Sequence, residues 1–126
     1  MKNPFEALIG CKCRVSARGR CIATLDLAPE LLNPHGVLHG GVLYTMADTS
    51  MGYAVYSTLA HGGSCATIEI KMVYLKPVTR GRVRCVTRLV HRGRRVAVLE
   101  SSLTCSKVLV AKALGTYALF DTPHRA

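Results

Sequence analysis

The stretch Val42 to Leu59 is rich in Ala, Leu, Met, Val and Tyr and holds one formal charge, Asp48. A period of 3.6 residues places Leu43, Ala47, Met51, Ala54 and Thr58 on one face, suited to packing on a sheet. The same period puts Gly41, Thr45, Asp48, Gly52 and Val55 on nearly one stripe, where small residues leave room for a ligand beside the carboxylate. The pattern predicts a long, mostly buried helix entered from the loop Asn33-Pro34-His35-Gly36-Val37-Leu38-His39-Gly40-Gly41. Elsewhere the pattern reads as strands. Cys13 to Ala17 and Cys21 to Leu27 flank Arg18-Gly19-Arg20 as a hairpin. Ala66 to Leu75 ends at Lys76-Pro77, with a turn to Gly81. Arg82 to His91 and Arg95 to Cys105 alternate around a turn at Arg92-Gly93, and Val108 to Phe120 closes the chain. Near the start, Asn3 suits a helix cap, Pro4 the first helical position, Glu6 the returning capping-box bond, and Gly10 the end. Thr122 to Ala126 reads as a frayed tail. The order is short helix, hairpin, long helix and antiparallel meander, an α+β architecture in which the sheet wraps the helix.

Composition narrows the picture. At 126 residues and 49% hydrophobic content, the chain is expected to form one globular domain, residues 1–126, with no linker or repeat. The apolar run carries Asp48, Thr45, Ser50 and Ser57 and is flanked by His, so a core helix is expected rather than a membrane span. Lys2 is not followed by an apolar segment, so no signal peptide is expected. Six cysteines form no CxxC pair, and Cys11 with Cys13 does not make a zinc site. Reduced thiols and a cytoplasmic location are the corresponding expectation. His35, His61, His91 and His124 lack metal-ligand spacing and read as surface or loop residues; Cys65 has no feature that marks a nucleophile.

The net charge of +10 comes mainly from eleven arginines, most of them in Arg14 to Arg20, Arg80 to Arg88 and Arg92 to Arg95. Such clusters suit nucleic acid, a phosphate-bearing small molecule, or a solvated face. With seven Phe and Tyr and no Trp, no aromatic platform interleaves them, which weakens single-strand recognition by stacking.

Asn33, His39-Gly40-Gly41, Asp48 nine residues after that His, Lys76-Pro77 with Gly81, His91-Arg92-Gly93-Arg94-Arg95 and Gly115-Thr116-Tyr117 occur together. In this conjunction the chain resembles hotdog-fold acyl-CoA thioesterases of the phenylacetate-pathway type, within the 4-hydroxybenzoyl-CoA thioesterase superfamily. The resemblance runs from Asn3-Pro4-Phe5 to Tyr117. It implies a hotdog fold and hydrolysis of a small to medium acyl-CoA, aromatic or aliphatic, without metal or redox cofactor. It also implies that Asn33 positions the attacking water or the carboxylate, and that the Thr67 hydroxyl assists water. An ordinary turn residue and an ordinary strand threonine are the alternatives.

The chemistry can be argued from the residues too. A helix N-terminus offers unpaired N–H groups and partial positive charge. Gly40 lets substrate approach that backbone, making its N–H the candidate oxyanion donor, with Gly41 beside it as a substrate contact. His39 either orders this loop or hydrogen-bonds the thioester carbonyl. Asp48 is the candidate nucleophile or general base, the alternative being a structural buried acid bonded to backbone or Thr. Gly40 and Asp48 are eight residues apart, or roughly 12 Å along a helix at about 1.5 Å per residue. One short side chain cannot close that gap, so one chain cannot supply both groups to one carbonyl. Two antiparallel helices across a two-fold axis can. The expectation is a homodimer with shared sites; the resemblance adds a dimer of dimers.

For the phosphates of coenzyme A, the basic turn Arg92, Arg94 and Arg95 is the first candidate, then Lys76 and Arg80. No dinucleotide fingerprint competes. A non-catalytic acyl-CoA-binding or sensing protein is the alternative from another class. Hotdog dehydratases also act on acyl thioesters, but their His and acid pattern with clustered prolines is absent. The reading includes neither a nucleic-acid nor a membrane partner. It leaves the acyl preference open.

Overall fold

The computed structural model describes residues 3–122 of the chain. Lys2 and His124 lie outside them. So does most of the tail expected to fray; Thr122, its first residue, donates its N–H to Gly62 O at 2.8 Å.

The first helix, α1 (Pro4–Ile9), is built as its sequence dictates at both ends. Asn3 Oδ1 accepts from the Glu6 N–H at 3.1 Å, and Gly10 closes the helix at φ 77°, a conformation that glycine adopts without steric cost. The Glu6 side chain departs from the capping-box expectation. Its Oε2 accepts from the Tyr53 hydroxyl at 3.0 Å, which ties α1 to the long helix instead of to Asn3.

Strands β1 (Cys11–Ala17) and β2 (Arg20–Asp26) form the expected hairpin, turning at Gly19 with φ 76°. A 3₁₀ turn (Pro29–Leu31) and an irregular loop lead into α2 (Gly40–Tyr56). The helix thus starts two residues before Val42 and stops three short of Leu59. Serine and threonine hydroxyls end it: Ser57 Oγ donates to Ala54 O (2.6 Å) and Thr58 Oγ1 to Val55 O (2.7 Å). Such bonds compete with continued helical backbone pairing. Leu43, Ala47, Met51, Ala54 and Thr58 are buried, as the 3.6-residue pattern requires. Val55, expected on the Asp48 stripe, is fully buried in the core. Four turns on, the stripe has rotated toward the sheet, because 3.6 does not divide its spacing evenly.

Four long strands complete the molecule: β3 (Gly63–Tyr74), β4 (Arg82–Arg92), β5 (Val96–Cys105) and β6 (Val108–Asp121). The order across the antiparallel sheet is β1-β2-β4-β5-β6-β3. Only β4 to β6 form a meander. Residues 76–81 are a crossover and not a hairpin, which corrects the sequence expectation: β3 pairs with β6, from Gly63↔Asp121 to Tyr74↔Ala111. Pro77 lacks the N–H that a ladder needs. Val78 O accepts from Leu38 N–H (2.7 Å), and Gly81 O accepts from Leu27 N–H (3.0 Å), carrying the segment back across the α2 entry loop. Both flanks of α2 are thereby covered, by β1–β2 on one side and β3 on the other. At the centre, a Cβ on Gly115 would lie 2.5 Å from Met51 Sδ, so this glycine sets how closely β6 approaches the helix. No helix among the described residues is long and apolar enough to cross a membrane.

Candidate active site

At the α2 N-terminus the backbone is arranged by short polar side chains. His39 is the cap, and its Nδ1 accepts from Gly41 N–H at 2.8 Å. That bond places the imidazole proton on Nε2. The Gly41 N–H is therefore occupied within the chain, so the geometry makes Gly41 part of the cap rather than a donor to substrate. Gly40 N–H has no acceptor among the described residues. A Cβ at Gly40 would meet the Tyr74 ring at 3.1 Å, and the Tyr74 hydroxyl donates to Gly40 O (2.7 Å). The missing side chain at Gly40 thus makes room for Tyr74, where the sequence reading reserved that room for substrate. Asn33 Oδ1 accepts from His35 N–H (2.9 Å) and Val37 N–H (3.3 Å), the geometry of a side chain that orders its own turn. Asn33, Gly40, Tyr74 and Lys76 line one cleft of about 320 Å³.

Asp48 stands on the half-buried side of α2, facing a second cleft of about 220 Å³. Its Oδ1 accepts from Thr67 Oγ1 at 2.7 Å and from the Tyr117 hydroxyl at 2.5 Å; the same hydroxyl lies 2.7 Å from Asp48 O. Among the described residues Oδ2 has no protein donor. Two donors on one oxygen fix the carboxylate plane and leave the other oxygen available for chemistry. Tyr117 is 2% exposed, and burial followed by its bond to Asp48 pushes its hydroxyl well above the ordinary tyrosine range, so it stays a donor. Cys65 lines the same cleft, but burial and then the Asp48 charge push its thiol up to about 11. It is protonated at neutral pH and unsuited to attack.

The two clefts share no residue. Asn33, His39 and Gly40 gather at the start of α2, Asp48 and Thr67 further along it, as the helical rise requires. Sequence reasoning expected Tyr53 and Tyr56 among the residues that shape the pocket, and both line the Asp48 cleft; it did not assign Tyr117 or Tyr74 to this region. Tyr117 was visible within Gly115-Thr116-Tyr117, but a strand tyrosine on an inward position reads as core.

The basic turn divides by role. Arg92 Nε lies 3.3 Å from Thr58 Oγ1 and its NH1 2.6 Å from Gly93 O, while Arg18 NH2 reaches Thr58 O at 3.2 Å. These cations sit at the negative end of α2. Arg92 is thus occupied as a helix-end partner, which weakens its assignment to phosphate. Arg92, Arg94 and Arg95 all line a cleft of about 290 Å³ with Gly63, Phe120 and Asp121, and no hydrogen bond holds the Arg94 and Arg95 side chains among the described residues. Arg80 stands apart from both α2 clefts. Among the described residues no group of three or more His, Cys, Asp or Glu is placed to hold a metal ion, and His35, His61 and His91 are exposed.

An antiparallel six-stranded sheet packed on one long helix is the hotdog architecture, and a carboxylate held on that helix is a group that thioester hydrolysis can use. A sequence model of the Thioesterase superfamily matches residues 35–111. A Saccharolobus solfataricus protein named as an esterase is 36% identical over 113 residues, covering 89% of this chain and 75% of its own. The acyl-coenzyme A thioesterase PaaI of Escherichia coli is 33% identical over 84 residues, 65% of this chain and 57% of its own. A solved conserved protein of Pseudomonas aeruginosa superposes with a TM-score of 0.91 at 36% identity, covering 95% of this chain and 96% of that one. The chain belongs to the thioesterase superfamily.

Proposed function

We propose that the protein hydrolyses small to medium acyl-CoA thioesters at sites shared between two copies of the chain. The observation that carries this reading is Asp48: Oδ1 is held by Thr67 and Tyr117, and Oδ2 is left open on a cleft. In the proposed reaction the thioester carbonyl oxygen lies on Gly40 N–H, at the positive end of α2. Asp48 Oδ2 of the other copy either attacks the carbonyl carbon, giving a mixed anhydride that water hydrolyses after CoA has left, or takes a proton from the attacking water. The C–S bond breaks, and CoA leaves as thiolate or, with that proton, as thiol. The second oxygen of the product acid comes from water by either route. Neither route needs a metal or redox cofactor. His39 Nδ1, accepting from Gly41 N–H, and Asn33 Oδ1, accepting from His35 and Val37 N–H, order the Gly40 half.

Shared sites are supported by the separation of the two clefts and by β3, a long edge strand with Ile68, Val73 and Tyr74 exposed. Such an edge invites pairing. The dimer, and any dimer of dimers, is part of the proposal. For the CoA phosphates we propose Arg94 and Arg95 first, and Lys76 beside the Gly40 half. The ion pairs Arg82–Asp26 and Arg88–Glu100 occupy other members of the basic clusters, which favours this reading over a nucleic-acid surface. Six free cysteines suit the proposed cytoplasmic location.

Steady-state hydrolysis of phenylacetyl-, benzoyl-, acetyl-, hexanoyl- and decanoyl-CoA, followed by thiol release, tests the reading. Turnover by the wild type and a loss of at least about 100-fold in kcat for Asp48→Asn are expected. Tight acyl-CoA binding by both proteins without turnover would instead establish the binding or sensing alternative.

A further inference from the structure

We propose that the cleft between α1 and β1 is the acyl-group site, that it takes an uncharged acyl chain of medium length, and that Tyr53 sets the length preference. The inference rests on the acyl-CoA thioesterase reading and deepens it. The cleft measures about 510 Å³, within the range of small-ligand sites, and its wall includes Pro4, Ala7, Gly10, Cys11 and the Tyr53 ring. Asn3 and Tyr53 line this cleft and the Asp48 cleft alike, so the two adjoin.

The Asp48 cleft therefore has two flanks of opposite character. On one, Tyr56 is hydrogen-bonded to Ser64 (2.9 Å), and the neighbouring Gly63 leads to Arg94 and Arg95. On the other, Tyr53 leads to the largely apolar cleft under α1. An acyl-CoA is polyanionic at one end and apolar at the other, so the arginine flank suits the nucleotide and the α1 flank the acyl chain. Tyr53 follows Asp48 by five residues, about 7.5 Å along the helix axis. An acetyl group held at Asp48 falls well short of that distance, whereas an extended hexanoyl chain comes within van der Waals contact of it. Glu6 Oε2 accepts from the Tyr53 hydroxyl, which fixes the ring where the two clefts meet. Burial, then Glu6, pushes this phenol up to about 12, so the bond persists at neutral pH. Lys12, the other charged residue on the wall, is exposed.

The test is a chain-length profile of kcat/KM with acetyl-, hexanoyl- and decanoyl-CoA for the wild type, Ala7→Leu, Tyr53→Phe and Leu8→Ala. Ala7 is exposed on α1, so a leucine fills the cleft without overpacking the core. The ratio of hexanoyl to acetyl kcat/KM is expected to fall at least about 10-fold in Ala7→Leu, the scale of methylene-level discrimination. Tyr53→Phe, which releases the ring from Glu6, is expected to move the preferred length. Leu8, 78% exposed on the outer side of α1, is the control whose substitution should leave the ratio unchanged. An unaltered ratio in Ala7→Leu overturns the proposal. So does an equal loss on all three substrates, because the cleft would then serve the CoA portion. Absence of wild-type turnover on any acyl-CoA is a different failure: it removes the enzyme reading, and this inference with it.

Discussion

The two oxygens of Asp48 have different surroundings, and that difference governs the proposed chemistry. Oδ1 accepts from Thr67 and Tyr117, while Oδ2 faces the cleft. Tyr117→Phe loosens that carboxylate and is expected to lower kcat/KM roughly 10-fold, the equivalent of ~1.4 kcal/mol. Steady-state kinetics beside a denaturant titration check this; an unchanged kcat/KM with lowered stability would reduce Tyr117 to a packing residue. Asp48 was legible because a lone charge in an apolar helix needs a reason. Tyr117 was not, because its role depends on β6 passing beside the middle of α2, and nothing in local pattern encodes that. Gly40 teaches the same point. Its missing side chain was legible, but the group that fills the space is the ring of Tyr74, thirty-four residues away.

At the scale of elements, α2 is held at both ends by side chains. His39 caps its start, and Arg18 and Arg92 hold the carbonyl or hydroxyl of Thr58 just past its end. A uniform basic run in the sequence thus divides into a structural arginine and two proposed phosphate ligands. Arg92→Ala is expected to lower stability by roughly 0.3–1 kcal/mol through the lost helix-end interaction, with little change in KM. Arg94→Ala and Arg95→Ala are expected to raise KM for acyl-CoA several-fold with little change in stability. Denaturant titration beside steady-state kinetics separates the two classes. A rise in KM for Arg92→Ala equal to that of its neighbours would return Arg92 to the phosphate site.

Across the whole molecule, the proposed catalytic groups lie in two clefts that one chain cannot join. Gly40→Pro removes the candidate oxyanion N–H at a helix position that tolerates proline, although its ring must displace Tyr74. Each of Gly40→Pro and Asp48→Asn should be nearly inactive alone. Mixed after reversible dissociation, they should recover about a quarter of wild-type activity, because half of the dimers are mixed and each holds one intact site. Sedimentation of the mixture reports whether dimers exchange. No recovery among exchanged dimers would contradict shared sites.

By itself the sequence determined the elements. Period 3.6 marked the buried face of α2, alternation marked the later strands, and Asn3, Gly10 and Gly19 marked their ends, because these signals act within a few residues. It also supplied the family, through Asn33, His39-Gly40-Gly41 and Asp48 at fixed spacings. The tertiary structure alone decided which strand lies beside which, sending β3 past the meander to the edge next to β6. That pairing brings Thr67 and Tyr117 onto Asp48, and the Tyr53–Glu6 bond fixes α1 above its cleft. Such contacts join residues far apart in the chain, and their formation depends on burial of the whole sheet against one helix. Local pattern carries no record of it.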